Sequence, residues 1–196
     1  MPDGKDSMFE ECHVEAADGL RLYYRDYPNV SPRSPVICLP GLTRNSRDFA
    51  PLATRISTTR RVICPDLRGR GKSQYDPEWR NYHPGQYAAD LWQLLDTLQL
   101  DEVVIIGTSL GGWMAMLLNH QQPGRIAGAV MNDIGPEADP DGIARVVATA
   151  GRLDVVGSLA EAIEQAKSVY SIVFPDWSED QWQAYTETTY RQLDDG

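Results

Sequence analysis

The chain has 196 residues, and its 18 basic against 28 acidic side chains give a net charge of −10, which argues against a nucleic-acid binder. With 42% hydrophobic and 23% charged residues, the composition is that of a globular protein with one sizeable core, and it excludes disordered and fibrous classes. No apolar run approaches the roughly 18 residues of a membrane helix, and the polar residues 1–10 lack the apolar segment of a secretory signal. The three cysteines form no Cys-x-x-Cys pair, so neither a disulfide framework nor a zinc site is expected. These features predict a cytoplasmic protein.

The first elements in chain order predict a sheet. The turn signal Asp18-Gly19 favours an antiparallel hairpin between residues 12–16 and 20–27. Four short uncharged runs then predict strands buried on both faces. They are residues 36–39, 62–64, 103–106 and 126–131. Segments of helical period lie between them, around residues 49–56 and 87–98. The alternation predicts the α/β class, with a mainly parallel, doubly wound sheet.

The composition changes near residue 133. Residues 1–132 hold 14 basic and 15 acidic side chains, whereas residues 133–196 hold 4 and 13. The later part has no strand pattern, and three helices are predicted there, at residues 142–150, 159–170 and 179–193. The last two open with the capping-box patterns Ser158-x-x-Glu161 and Ser178-x-x-Gln181. We therefore predict two domains, residues 1–135 and a helical lid of residues 136–196.

A Gly-x-Ser-x-Gly motif carries the predicted chemistry. Gly107-Thr108-Ser109-Leu110-Gly111 directly follows a predicted strand and precedes a helical run, which is the context that a nucleophile elbow requires. A serine held at this turn projects its hydroxyl away from the sheet, and the two glycines supply clearance. Because free N–H groups at a helix start stabilise developing negative charge, the N–H of Leu110 is the first candidate oxyanion donor. The loop after the strand at residues 36–39 supplies the second, the N–H of Leu42.

Four stretches together resemble the serine hydrolases of the α/β-hydrolase fold, in the branch with a helical cap. They are the Leu39-Pro40-Gly41-Leu42 turn, the loop of residues 66–73, the elbow around Ser109, and residues 132–137. The resemblance covers residues 11–196 in order and spacing. It implies an acyl-enzyme mechanism and does not specify the substrate.

The resemblance also implies a histidine base oriented by a carboxylate. The sequence has three histidines. His120 lies about 16 Å along the helix from Ser109, and His13 lies in the first ribbon, so His83 is the remaining candidate base. Asp133 is a candidate acid, because it follows the strand at residues 126–131. In the family the histidine comes late, whereas this chain ends at Gly196 inside the predicted cap.

We therefore expect either a fragment of a longer hydrolase, without the carboxyl-terminal strands and helices, or a shortened protein that has lost the base. The fragment is favoured. The predicted activity is hydrolysis of a small carboxylic ester or lactone through Ser109, with no metal or organic cofactor. The alternatives are a carbon–carbon bond hydrolase of the same fold and a binding module that does not turn over. A small-molecule substrate is expected rather than a nucleic acid or a membrane, and the sequence does not indicate an oligomeric state.

Overall fold

The computed structural model describes residues 8–151 and 153–191, and the chain divides into two compact units, one ending at Glu137 and the other beginning at Ala138. The first unit contains one β-sheet. Its six strands within the described residues are β1 (Glu10–Glu15), β2 (Arg21–Tyr27), β3 (Val36–Leu39), β4 (Val62–Pro65), β5 (Val103–Thr108) and β6 (Ile126–Asn132). Their order across the sheet is β1-β2-β4-β3-β5-β6.

The sheet is mainly parallel, as predicted. Strands β1 and β2 form the expected antiparallel ribbon, and β2 pairs antiparallel with β4. Strands β4, β3, β5 and β6 run parallel, which requires crossover connections. Three helices provide them, namely α1 (Ala50–Ile56), α2 (Pro84–Thr97) and α3 (Leu110–Gln121). Three 3-10 turns lie at Ser46–Phe49, Trp79–Asn81 and Pro123–Arg125 within the described residues.

The core lies on both faces of the sheet. Along β3, Ile37 and Leu39 belong to one apolar cluster, whereas Val36 and Cys38 belong to the other, because successive side chains of a strand point to opposite faces. The first cluster includes side chains of α2 and α3, and the second includes Ala53 of α1. The sheet is therefore sandwiched between helices. Cys38 and Cys64 are buried free thiols of the second cluster, where each packs as a small apolar side chain.

The prediction that all four uncharged runs are buried on both faces is wrong for β6. Its residues Val130 and Met131 are 54% and 43% exposed. In the described part of the chain β6 pairs only with β5, so no strand lies along its second edge there. An uncharged run indicates a tendency to be buried, but the neighbouring elements decide whether burial occurs.

The second unit is helical. It contains α4 (Pro140–Thr149), α5 (Leu159–Tyr170) and α6 (Glu179–Thr189). The three predicted helices are present. Helix α6 ends at Thr189, earlier than the predicted residue 193, which lies outside the described residues. The predicted boundary at residues 135/136 and the role of residues 136–196 as a lid stay predictions.

One of the two predicted capping boxes is complete. At α6 the Ser178 side chain accepts a hydrogen bond from the Gln181 N–H, and the Gln181 side chain accepts one from the Ser178 N–H. At α5 the prediction is half wrong. Ser158 accepts from the Glu161 N–H at 3.2 Å, but the Glu161 carboxylate accepts from the Gly157 N–H at 2.9 Å instead of from Ser158. The sequence pattern is the same, and the backbone entering the helix selects a different donor.

Candidate active site

Ser109 lies at the sharp turn between β5 and α3. Its backbone has φ of 51° and ψ of −113°, a region that residues other than glycine rarely adopt and that costs on the order of 1–3 kcal/mol. The Ser109 N–H donates to the Asn132 carbonyl of β6 at 3.0 Å, and the Ser109 carbonyl accepts from the Gly112 N–H at 2.9 Å. Both neighbouring elements therefore hold the strained residue. This is the backbone geometry expected of a nucleophile elbow.

The two glycines of the motif provide the clearance that the sequence predicts. A Cβ at Gly107 would collide with the Gly111 carbonyl in the first turn of α3. A Cβ at Gly111 would collide with the Leu39 carbonyl at the end of β3. Both obstacles are backbone atoms, which cannot move aside as a flexible side chain can. The elbow therefore packs so closely on its neighbours that both positions require glycine.

The structure brings the loop that holds Leu42, the second candidate oxyanion donor, to the elbow. A Cβ on Gly41 would lie 3.9 Å from the Ser109 Cβ, and Leu42 is the next residue along the chain. The turn itself is closed by a hydrogen bond from the Arg44 N–H to the Gly41 carbonyl at 3.1 Å. Leu110 is the first residue of α3, where N–H groups have no partner within the helix. Leu110 is thus the chain neighbour of Ser109, and Leu42 follows a glycine that packs beside Ser109; the roles of both as donors stay predictions.

The carboxylate of Asp66 ties this loop to the loop of residues 66–73. It accepts hydrogen bonds from the Ser46 N–H at 2.6 Å and from the Lys72 N–H at 2.8 Å. Asp66 is buried, and burial raises the pKa of its carboxyl group, while the two N–H donors act in the opposite direction. One buried side chain therefore connects two loops at the carboxyl edge of the sheet.

Arg68 forms an ion cluster that sequence reasoning missed. Its side chain is fully buried, and its Nε and Nη2 each donate to the Asp90 carboxylate at 2.7 Å. Its Nη1 donates to Asp18 at 3.0 Å and to Asp76 at 2.5 Å. These carboxylates, with the Asp90 hydrogen bonds contributing most, raise the pKa of Arg68 above its usual range. The cluster joins the loop of residues 66–73 to the first hairpin and to α2.

A family model described as the alpha/beta hydrolase fold matches residues 34–184, which is most of the chain. The chain belongs to the alpha/beta hydrolase family. A crystal structure of an alpha/beta hydrolase from Novosphingobium aromaticivorans is similar to this chain, with a TM-score of 0.93 and 42% identity, covering 97% of this chain and 67% of that one.

Two curated relatives are also similar to this alpha/beta hydrolase. A 3-hydroxybutyrate-oligomer hydrolase from Cupriavidus necator is 32% identical over 143 residues, which is 73% of this chain and 48% of the relative. A 2-(acetamidomethylene)succinate hydrolase from Mesorhizobium japonicum is 27% identical over 80% of this chain and 54% of its own length. The chain therefore spans about half the length of these relatives.

The three histidines of this alpha/beta hydrolase lie on separate elements. His13 is on β1, four strands away from β5 across the sheet, which is about 19 Å at the usual strand spacing. His120 is in the last turn of α3, about 16 Å along the helix from Ser109. His83 is the N-cap residue of α2, where its Nδ1 accepts a hydrogen bond from the Gln86 N–H at 3.3 Å. The structure thus gives His83 a role in capping, and its role as a base stays a prediction.

We expect His83→Asn to fold as stably as the wild type, because asparagine is also a favoured N-cap residue. His83→Ala should lower the free energy of unfolding by about 0.5–2 kcal/mol, because it leaves the first N–H groups of α2 without a side-chain acceptor. Urea unfolding of the three proteins measures both effects. The rate at which a fluorophosphonate labels Ser109 gives the second measurement. If that rate falls by more than about 100-fold in His83→Asn while the stability is unchanged, His83 is the base.

Asp133, the candidate acid, follows β6 directly and has an exposed side chain. Its φ is 58°, a left-handed conformation that aspartate tolerates better than most residues. The preceding residue, Asn132, accepts the Ser109 N–H, so the backbones of Asp133 and Ser109 run close together. The structure thereby places the predicted acid and the predicted nucleophile at the ends of adjacent parallel strands, and the catalytic role of Asp133 stays a prediction.

The aromatic residues of the second unit pack against one another. Phe174 stacks on Trp177 with ring centroids 4.0 Å apart, and Trp177 meets Trp182 edge-on at 4.9 Å. Tyr170 and Tyr185 meet at 5.5 Å. Tyr170 belongs to α5 and Tyr185 to α6, so the aromatic cluster contributes to the packing of these two helices against each other.

Among the residues that the structure describes, no three His, Cys, Asp or Glu side chains come together as a metal site. Within the same residues, no helix combines the length and the apolar composition needed to cross a membrane.

Proposed function

We propose that this alpha/beta hydrolase cleaves a small carboxylic ester or lactone through an acyl-enzyme on Ser109. The observation that carries the proposal is the strained backbone of Ser109, with φ of 51° at a strand-to-helix turn. Strain of this kind persists only where the surroundings fix it, and it clusters at catalytic sites. The glycines on both sides allow the serine to be held in this way without a side chain obstructing the turn.

In the proposed reaction the Ser109 hydroxyl attacks the carbonyl carbon of the substrate. The oxygen that becomes negative is held by the N–H groups of Leu110 and Leu42, and the start of α3 adds a favourable helix dipole. A base takes the hydroxyl proton and gives it to the oxygen of the departing alcohol as the carbon–oxygen bond breaks, and water then releases the acyl group. Where the base is an imidazole rather than solvent, Asp133 is the proposed carboxylate that orients it. The chemistry requires no metal or organic cofactor.

One of the two curated relatives supports an ester as the bond that is cleaved. The name of the Cupriavidus necator relative specifies oligomers of 3-hydroxybutyrate. Units of a hydroxy acid join through ester bonds, so the chemistry in that name is the chemistry that an acyl-enzyme performs. An ester of a short hydroxy acid is therefore the first substrate to test.

The test is the intact mass of the protein before and after incubation with a fluorophosphonate. We expect one adduct per chain, lost in Ser109→Ala and kept in Ser168→Ala, a control that removes an exposed serine of α5. An oxyanion hole and binding together retain catalysis of about 10³–10⁴-fold over water when a triad member is missing, so slow labelling, followed over hours, should occur even without a histidine base. A folded wild type without an adduct would overturn the proposal and favour a binding module.

The pH dependence of labelling identifies the proton acceptor. For this chain we expect the rate to rise steadily with pH between about 6 and 9, as it does when solvent removes the serine proton. A plateau above about pH 7 would reveal an imidazole base instead. Turnover of p-nitrophenyl butyrate, compared with that of a β-diketone, then separates ester hydrolysis from carbon–carbon bond cleavage.

A further inference from the structure

The side chain of Arg70 joins two loops beside the candidate site. Its Nε donates a hydrogen bond to the Leu42 carbonyl at 3.0 Å, and its Nη1 donates to the Arg68 carbonyl at 2.9 Å. Leu42 belongs to the predicted oxyanion loop, and Arg68 is the fixed, fully buried arginine of the neighbouring loop. One guanidinium group therefore links the backbone of the oxyanion loop to the most firmly held part of the adjacent loop.

Two tyrosine rings hold the guanidinium in place. Its carbon lies 5.5 Å from the ring centroid of Tyr82 and 5.4 Å from that of Tyr87, within the range of a cation–π contact. Tyr87 is buried, and the Tyr82 hydroxyl accepts a hydrogen bond from the Asp76 N–H at 2.8 Å, so neither ring is free to move. A lysine would keep the charge but would lose the planar group that makes the two directed hydrogen bonds while it contacts both rings.

The hydrogen bond from Arg70 to the Leu42 carbonyl lies next to the N–H group that is proposed to bind the oxyanion. The carbonyl that Arg70 binds belongs to the Leu42–Thr43 peptide, the neighbour of the peptide that presents the Leu42 N–H. The hydrogen bond from Ser46 to Asp66 holds the loop further along the chain. Fixing the Leu42 carbonyl therefore sets the orientation of the backbone at Leu42. We propose that Arg70 is a positioning residue that holds the Leu42 N–H in its oxyanion-binding orientation, an inference that rests on the proposed function.

The first part of the test observes the Leu42 carbonyl directly by nuclear magnetic resonance. Leu42–Thr43 is the only Leu-Thr pair in the chain, so labelling leucine carbonyls with ¹³C and threonine nitrogens with ¹⁵N gives a single cross-peak in a carbonyl–amide correlation spectrum. We expect this carbonyl resonance to shift in Arg70→Met and in Arg70→Lys, and to stay in place in Arg80→Met. Arg80 is a matched control, because it is an exposed arginine over a Trp79 ring. An unmoved resonance in Arg70→Met would overturn the inference.

The kinetic half measures how fast Ser109 reacts with the fluorophosphonate at increasing reagent concentration. We expect the limiting rate to fall about 10- to 100-fold in Arg70→Met, with the half-saturating concentration and the final stoichiometry unchanged. A partly unfolded variant would lower the stoichiometry instead, so this pattern separates positioning from stability. If the wild type reacts and Arg70→Met reacts at the same rate, only the proposed role of Arg70 is overturned. An unreactive wild type would overturn the proposed function, and the role of Arg70 with it.

Discussion

Replacing Arg68 with methionine should lower the free energy of unfolding by about 3–5 kcal/mol, because removing one partner of a buried ion pair leaves the other charge uncompensated. Asp90 is buried, and in the variant the Gln86 side chain, at 3.0 Å, would be its one remaining side-chain donor among the residues that the structure describes. The total stability of a domain is about 5–15 kcal/mol, so the loss is a large part of it. Urea unfolding followed by circular dichroism measures the change, and we expect the melting temperature to fall by about 6–20 °C.

A second substitution tests whether the uncompensated charge is the cause. Asp90→Asn should destabilise the wild type, because it removes the charge that Arg68 binds, but it should stabilise the Arg68→Met variant by removing the unpaired carboxylate. Arg80→Met is the control, because its ion pair with Glu78 joins side chains that are 70% and 48% exposed, and it should change stability by about 1 kcal/mol or less. If Arg68→Met is no more destabilising than Arg80→Met, the cluster contributes little to the fold.

Gly107→Ala should both destabilise the protein and slow the reaction of Ser109. The added Cβ would meet the Gly111 carbonyl and would lie 2.5 Å from the Gly112 nitrogen, so the first turn of α3 must move. Overpacking costs about 1–3 kcal/mol, and backbone obstacles place this variant at the upper end of that range. Because the same turn carries the Leu110 N–H, we also expect phosphonylation to slow by about 100-fold.

The control for this variant is Gly128→Ala, in β6 of the same sheet. Apart from the glycine itself and its two chain neighbours, no heavy atom of the described residues would lie within 4 Å of a Cβ at Gly128. Alanine at a compatible position stabilises a protein by about 0.4–1 kcal/mol, so this variant should be neutral or slightly more stable and should label at the wild-type rate. Equal labelling rates in Gly107→Ala and Gly128→Ala would show that the tight packing of the elbow does not control the position of Ser109.

Several features of the fold follow from local sequence. The uncharged runs place β3 and β4, because four consecutive side chains without charge can be buried on both faces only in the middle of a layered domain. The Ser178-x-x-Gln181 pattern places the start of α6, because both hydrogen bonds of its cap lie within four residues. The same reasoning failed for β6, whose exposure depends on what lies beside it rather than on its own residues.

In the candidate site, too, some residues could be predicted from the local sequence and others could not. Ser109 could be predicted, because the glycines, the preceding strand and the following helix are all within a few residues of it. The Arg68 cluster could not be predicted, because its partners Asp18 and Asp90 are 50 and 22 residues away along the chain. Many carboxylates in the sequence are equally plausible partners for one arginine, and only the packed hairpin and α2 select these two.

The sequence by itself determined the α/β class, the order of strands and helices, and the serine at the elbow. Each of these rests on periodicity or on a motif a few residues long, and local sterics and hydrogen bonding are enough to specify them. The tertiary structure alone decided that the Gly41-Leu42 turn reaches Ser109 and that Arg70 binds the Leu42 carbonyl. Those contacts join residues far apart in the chain, and they form only when the parallel strands bring their carboxyl ends to one edge of the sheet.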